Sequence, residues 1–168
     1  MSSSPPIIIE PYNPLWPAKF AAERQLLRSV LAPWLVGSIE HVGSTAVAEL
    51  PAKPVIDIMA GVRDLPSSVP AIEALEPLGY CYFEYKADVM HWFCKPSPVD
   101  RTHHLHLVPF ESPLWRERLE FRDRLRTDAA IRCSYAELKF ALASKYRDDR
   151  EAYTEAKTEF IQSVLGQI

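Results

Sequence analysis

Glycine is scarce in this chain, with five in 168 residues, and this scarcity limits the nucleotide-binding loops that it can contain. The P-loop and the Rossmann fingerprint each need closely spaced glycines, and neither pattern occurs. The serine-centred turn of the α/β-hydrolases is absent as well. One pair, Gly43-Ser44, remains as a turn that could hold a phosphate.

Cysteine is also scarce, and Cys81, Cys94 and Cys133 show no paired spacing. This pattern argues against a zinc or redox motif and favours a reducing cytoplasm. No apolar run approaches the roughly 20 residues of a membrane helix, and the N-terminus lacks the regions of a signal peptide. We therefore expect a cytoplasmic protein with no membrane association.

Neither sign of charge is in large excess, because 19 basic and 22 acidic residues give a net charge of −3. Bulk attraction to nucleic acid is therefore not expected. The length predicts a single domain over residues 1–168. Residues 1–6, with the sequence Met-Ser-Ser-Ser-Pro-Pro, are expected to form a flexible tail.

Apolar spacing and proline positions predict a strand-rich centre followed by helices, hence an α+β or α/β domain. Helices are predicted over residues 17–32, 44–50 and 68–78, the last one ending at Gly79, and strands over residues 36–42, 53–62, 80–85, 89–95 and 103–109. In the last third, Ser112-Pro113 is typical of a helix start, and Ser134 with Glu137 of a capping box. A final helix is predicted from about Asp149 to Leu165.

The most informative segment is the turn at Gly43, followed by a strand with one carboxylate. Ser44 and Thr45 offer hydroxyls and backbone N–H groups where a phosphate could bind. Asp57 lies in an otherwise apolar strand, where an unpaired charge is costly. Either a metal ion or a pairing with Lys53 or backbone N–H groups could compensate that charge.

This arrangement resembles the nucleotidyltransferase superfamily and, more closely, the GrpB family (UPF0157). The matching segments run in order along nearly the whole chain: Pro11-Tyr12-Asn13-Pro14-Leu15-Trp16, Gly43-Ser44-Thr45-Ala46-Val47, Ala52-Lys53-Pro54-Val55-Ile56-Asp57-Ile58, His104-Leu105-His106-Leu107, Phe121-Arg122-Asp123-Arg124-Leu125-Arg126, Tyr135-Ala136-Glu137-Leu138-Lys139 and Leu142-Ala143. The resemblance implies an α+β fold, with a nucleotidyltransferase-like mixed sheet flanked by helices and a helical C-terminal third. It also implies a divalent metal, Mg²⁺ or Mn²⁺, at Asp57.

The sequence departs from the superfamily at position 59. Its members usually carry a second carboxylate two residues after the first, whereas this chain has Met59. Two-metal transfer chemistry then lacks a ligand unless another residue replaces it. The departure favours an alternative, a non-catalytic accessory module. GrpB-like domains are also found fused to dephospho-coenzyme A kinase, which implies a helper or ligand-sensing role next to coenzyme A synthesis.

Two histidines could complete a site with Asp57. His104 and His106 share one face of a predicted strand, and two imidazoles with a carboxylate can hold Zn, Mn, Fe or Ni. The alternatives are hydrogen-bonded structural histidines or a metal-dependent hydrolase centred on the three residues. A histidine-triad hydrolase is excluded, because Thr102 and Val108 occupy the positions of a third histidine.

Basic side chains near these motifs are candidates for holding phosphate. Arg118, Arg122 and Arg126 recur every four residues, so they need acidic partners or an anionic ligand. Arg122 is the preferred candidate, because it lies in the GrpB-like segment, and Lys139 is a further one. The alternative is a solvated face with local ion pairs.

The functional hypothesis combines these residues. Gly43, Ser44, Thr45, Lys53, Arg122 and Lys139 would bind a nucleotide or phosphorylated small molecule, and Asp57, His104 and His106 would form the catalytic and metal-binding group. If the protein is an enzyme, we expect nucleotidyl or phosphoryl transfer. The accessory role would instead imply ligand binding without turnover, and a protein partner.

Overall fold

A five-stranded sheet carries helices on both faces in the computed structural model, which describes residues 5–167. The strands are β1 (Leu35–Val42), β2 (Ile56–Val62), β3 (Cys81–Phe83), β4 (His91–Pro96) and β5 (Arg101–Pro109). The helices are α1 (Trp16–Leu31), α2 (Ala71–Leu75), α3 (Pro113–Thr127), α4 (Ala129–Lys145), α5 (Arg150–Glu155) and α6 (Thr158–Val164). Residues 1–4 of the predicted tail lie outside the described residues.

The sheet is mixed, in the order β1-β2-β5-β4-β3. Strands β2 and β5 run parallel, and the other neighbouring strands run antiparallel. Strand β2 lies inside the sheet, with Ile58, Met59 and Ala60 fully buried, which confirms the prediction of a central strand with apolar residues on both faces. In the parallel register, Asp57 lies directly opposite His104 and Met59 opposite His106.

The two faces of the sheet carry different apolar clusters. One face packs against α1 and α2 through a large cluster that includes Leu27, Ile58 and Leu105. The other face packs against α3 through Met59 and Trp115, among others. Because side chains alternate along a strand, Asp57 shares the α3 face with Met59.

The C-terminal helices close over the turn between β1 and β2. A third apolar cluster joins Val47 and Leu50 of this connection to Leu125 of α3 and Tyr135 of α4. Tyr153 of α5 packs in a fourth cluster. Side chains from the last third of the chain can therefore reach the Gly43 turn. Across residues 5–167, no helix has the length and apolar character to cross a membrane.

The predicted α+β class and most predicted elements are confirmed, but three predicted helices are shorter or divided. The helix expected over residues 44–50 is a single 3₁₀ turn, Ser44–Ala46, and the one over residues 68–78 is divided into three short pieces, of which the last ends at left-handed Gly79. The predicted final helix is divided into α5 and α6. Ser112 does cap α3, accepting a hydrogen bond from Trp115 N at 3.4 Å.

The capping box predicted at Ser134 is wrong. Helix α4 begins at Ala129, six residues before the start that a Ser134 cap would give, and Ser134 lies within it. The reason is Asp128, whose Oδ1 accepts hydrogen bonds from the backbone N–H groups of Ala130 and Ile131 at 2.9 and 3.1 Å. A carboxylate at this position also interacts favourably with the helix dipole.

Candidate functional site

The turn at Gly43 is pressed against the carboxylate of Asp57. Gly43 has a φ of +72°, and a Cβ built on it would lie 2.5 Å from Asp57 Oδ2. Only glycine combines this backbone conformation with so close an approach. The turn at Gly43 and the carboxylate of the acidic strand, each singled out in the sequence, therefore lie together, and the missing Cβ makes room for the carboxylate.

Two imidazoles face the same carboxylate from β5. His104 Nδ1 lies 3.1 Å from Asp57 Oδ1, within hydrogen-bonding distance, and His106 Nε2 lies 3.7 Å from the same oxygen. The Nε2 atoms of both rings are buried without a hydrogen-bond partner in the described part of the chain. The proximity predicted for the three side chains is thus present.

Asp57 is charged in spite of its surroundings. Burial favours the neutral acid, but the interactions with His104 and His106 outweigh it and hold the pKa of Asp57 well below its usual range. For His106, burial and the positive charge of Arg118 lower the pKa to about 4. The side chain of Asp57 is 28 % exposed, so a ligand can still reach this anionic carboxylate.

Three cations lie within electrostatic reach of Asp57 without pairing with it. Burial lowers the pKa values of Lys53, Lys157 and Arg118, and the negative charge of Asp57 offsets only part of this effect. Across residues 5–167, none of the three makes a salt bridge within 4.0 Å. One carboxylate therefore faces three half-buried basic side chains.

The two lysines are held in place by an aromatic ring instead of an anion. The Nζ atoms of Lys53 and Lys157 lie 5.0 and 4.4 Å from the ring centroid of Tyr153. This is cation–π distance. Burial, with the nearby charge of Lys53, lowers the pKa of Lys157 to about 7. An anionic ligand would relieve this mutual repulsion.

The donor set does not form a ready three-ligand metal site. In the part of the chain that is described, no group of three His, Cys, Asp or Glu side chains has an arrangement suited to a metal ion. His104 and His106 both aim a ring nitrogen at one oxygen of Asp57, and Met59 is fully buried where a second carboxylate would stand. These three side chains therefore do not by themselves supply a set of metal ligands, and the predicted Mg²⁺ or Mn²⁺ stays a prediction.

Other predicted ligand-binding residues make internal contacts. The Thr45 hydroxyl donates to Val55 O at 3.2 Å and lies 2.9 Å from His41 Nε2. Lys139 is 2 % exposed and donates to the carbonyl of Pro51, and burial followed by nearby Lys157 lowers its pKa to about 7.

Arg122 lies away from Asp57, beside the edge strand β1. Its Nη1 donates to Glu40 Oε2 at 2.8 Å and to the backbone oxygen of His41 at 3.2 Å. The arginines of this stripe therefore do not share one site. Arg118 lies within electrostatic reach of Asp57, whereas Arg122 pairs with Glu40. Four residues of an α-helix turn slightly more than a full circle, so a stripe of this spacing drifts around the helix.

Sequence reasoning missed two residues of this site. Lys157 comes from the segment between α5 and α6, and Tyr135 of α4 packs against Val47 and Leu50, which follow the Gly43 turn. Burial raises the pKa of Tyr135, so its hydroxyl stays protonated. The apolar stripes of these helices predicted that they pack, but gave no signal of which strand end they cover.

The mixed sheet, the serine turn beside an acidic strand and the helices around them define a nucleotidyltransferase-like fold. A crystal structure of the Cid1 poly(U) polymerase with Mg 3′-dATP bound aligns with 88 % of this chain and 49 % of its own, with a TM-score of 0.55. The sequence identity is 11 %, so this likeness concerns the fold.

The chain belongs to the GrpB family, since the family model described as GrpB protein matches residues 6–167. A UPF0157 protein of Pseudomonas aeruginosa is 41 % identical over 167 residues, which cover 96 % of this chain and 67 % of the relative. The crystal structure of the conserved protein GrpB from Enterococcus faecalis is 32 % identical. It aligns with a TM-score of 0.85 over 95 % of this chain and 96 % of its own.

Proposed function

We propose that this protein binds a nucleotide or a phosphorylated small molecule beside Asp57. The phosphates would lie among Lys53, Lys157 and Arg118, next to the Gly43-Ser44 turn. The observation that carries the proposal is a cluster of half-buried basic side chains there: Lys53, Lys157 and Arg118 make no salt bridge in residues 5–167 and face one carboxylate. Phosphate oxygens would supply the missing negative charge and hydrogen-bond acceptors.

An aromatic surface beside the histidines favours a nucleotide over a simple phosphate. Trp92 lies opposite His106 in the sheet register, and its ring centroid is 5.1 Å from that of His104. Phe83 and Tyr85 flank Trp92 at 5.8 and 6.0 Å and are more than a third exposed. A planar base or another aromatic ring could stack on this surface, since stacking needs only an accessible flat face.

Group transfer would need Asp57 as the single acidic residue. The carboxylate is ionised and close to two histidines, so it could hold an attacking group in place by accepting its hydrogen bond. The cations would stabilise the charge that develops on a transferred phosphoryl or nucleotidyl group. A metal-dependent version would add Mg²⁺ or Mn²⁺ bound through the ligand's own phosphates.

The second candidate is an accessory ligand-binding role without turnover, linked to dephospho-coenzyme A kinase and coenzyme A synthesis. Met59 favours it, because this residue is fully buried in an apolar cluster with Val42 and Trp115 and supplies no metal ligand. In that case the same pocket would bind a phosphorylated precursor, and catalysis would reside in a partner protein.

A thermal-shift titration with ATP and with dephospho-coenzyme A, each with and without Mg²⁺, tests the proposal. We expect Lys157→Met to weaken the affinity about 10- to 100-fold, because a charged hydrogen bond contributes about 1.5–3 kcal/mol. Lys145→Met is the matched control, since Lys145 is an exposed lysine at the end of α4.

Equal affinities for wild type and Lys157→Met would show that the ligand does not bind beside Lys157. If binding is confirmed, incubation with ATP and Mg²⁺ separates the two candidates. Release of pyrophosphate or phosphate that is lost in Asp57→Asn supports transfer. Binding with no turnover supports the accessory role.

A further inference from the structure

A cavity lies between α1, the edge strand β1 and α3, and Ala46 of the turn after β1 contributes to its lining. Its volume is about 360 Å³, which is in the range of small-molecule sites. Neither Asp57 nor His104 nor His106 lines it. The cavity is therefore separate from the site around Asp57.

Four arginines line this cavity: Arg24, Arg28, Arg122 and Arg126. Glu40 is the one acidic side chain in the lining, and burial lowers the pKa of His41 to about 4, which leaves that ring neutral. The lining thus carries a net charge of +3 in a chain whose total net charge is −3. A positive charge of this size in a concave site attracts small anions.

Glu40 is already fully engaged. Its Oε1 accepts a hydrogen bond from Ser38 Oγ at 2.7 Å, and its Oε2 accepts one from Arg122 Nη1 at 2.8 Å. Arg122 also pairs with Asp123 at 2.8 Å. The internal carboxylates therefore neutralise Arg122 and leave the other three arginines of the cavity largely available.

The same lining contains two stacked aromatic rings, those of Phe20 and His41. Arg24 lies 5.4 Å from the ring centroid of Phe20, and Phe20 stacks on His41 at 4.7 Å. Arg126 donates from Nε to the backbone oxygen of Ala46 at 2.9 Å, and its Nη1 is 3.9 Å from Asp123. Arg24 and Arg28 make no salt bridge within residues 5–167.

We propose that this arginine-lined cavity is a second anion-binding site, which holds a phosphate dianion through Arg24, Arg28 and Arg126. The planar guanidinium groups would donate paired hydrogen bonds to the phosphate oxygens. The dianion is either free inorganic phosphate or the phosphomonoester of a small molecule whose remaining part lies over Phe20.

NMR titrations with inorganic phosphate and with glycerol 2-phosphate distinguish these two sources. The ring of His41 and the amide of Phe20 report on the cavity, and the ring of His104 reports on the Asp57 pocket. We expect saturable shifts of the cavity reporters, and tighter binding of glycerol 2-phosphate if the site serves phosphomonoesters. Equal or tighter binding of inorganic phosphate assigns the site to the free ion.

Variants at the rim test which residues hold the anion. Arg24→Gln/Arg28→Gln changes two exposed positions of α1, so the fold should persist, and we expect at least a tenfold loss of affinity at the cavity reporters. Glu40→Gln removes the competing negative charge and should tighten binding several-fold. Arg116→Gln, an exposed arginine of α3 outside the cavity, is the matched control.

The proposal is overturned if neither anion shifts the His41 and Phe20 signals. It is also overturned if Arg116→Gln weakens binding as much as Arg24→Gln/Arg28→Gln, since the attraction would then be non-specific. These outcomes are independent of the Asp57 pocket, because a failure of that pocket would leave the His41 and Phe20 shifts unchanged.

Discussion

Gly43→Ala should destabilise the protein by about 3 kcal/mol or more and disrupt the contact between Asp57 and His104. Two effects combine in this variant. An L-residue in the left-handed region costs roughly 1–2 kcal/mol, and the new methyl group would lie 2.5 Å from Asp57 Oδ2. The carboxylate would have to move away, and the proposed phosphate site would change with it. Urea denaturation followed by circular dichroism measures the loss.

Gly79→Ala is the matched control for that variant. Gly79 also has a positive φ, +87°, but a Cβ there meets no atom within 4 Å. We expect it to lose only the conformational part, about 1 kcal/mol. The difference between the two variants reports the contact with Asp57 together with the backbone of Gly43, whose ψ of −175° favours glycine more strongly than the ψ of 10° at Gly79. If both lose the same amount, the turn does not press on the carboxylate.

Lys95→Met should cost about 3–5 kcal/mol, because it leaves a buried carboxylate without its cation. Glu23 of α1 is 5 % exposed, and its Oε1 lies 2.5 Å from Lys95 Nζ and accepts a hydrogen bond from Tyr80 at 2.7 Å. His103 Nε2 lies 3.9 Å from the other oxygen, Oε2. This group ties α1 to the sheet beneath it.

The cost of Lys95→Met should also depend on pH. Burial lowers the pKa of His103, and the charge of Lys95 lowers it further, whereas Glu23 raises it. Without Lys95, the folded-state pKa of His103 rises. A His with a depressed folded-state pKa destabilises the fold as the pH falls through the unfolded pKa, and the rise of this pKa in the variant relieves part of that penalty at low pH. The loss of stability should therefore be smaller at pH 5.5 than at pH 8.

Two further variants control the experiment. Glu23→Gln/Lys95→Met removes both charges and keeps an acceptor for Tyr80, so it should recover much of the lost stability. Lys145→Met changes an exposed lysine and should shift the unfolding free energy by no more than about 0.5 kcal/mol. If Lys95→Met resembles Lys145→Met, the ion pair does not stabilise the fold.

The sequence predicted those residues of the candidate site that stand out in a local pattern. It missed the residues that tertiary packing brings in from distant segments of the chain. Gly43 and Asp57 follow from a turn that needs glycine and a charge in an apolar strand, and both are found together. His104 and His106 share a face because strand residues alternate. That this strand pairs with β2 in the register that places His104 opposite Asp57 is a property of the sheet.

The cations depend on contacts between distant segments. Lys157 reaches the site only because the C-terminal helices close over the turn after β1, more than a hundred residues earlier in the chain. Arg122 shows the opposite case, since its position in a family-like segment suggested the phosphate pocket. The structure pairs it with Glu40, which the sequence did not connect to it.

Proton uptake on ATP binding tests the central claim most directly. Burial and Lys53 lower the pKa of Lys157 to about 7, so this lysine is mostly neutral at pH 8. The terminal phosphate of ATP is already ionised there. Bound phosphate should raise the pKa of Lys157, and calorimetry in two buffers of different ionisation enthalpy should record uptake of about half to one proton. Lys157→Met should abolish this uptake. If ATP fails to bind, or binds without proton uptake, the assignment of this pocket to a phosphate-bearing ligand is contradicted.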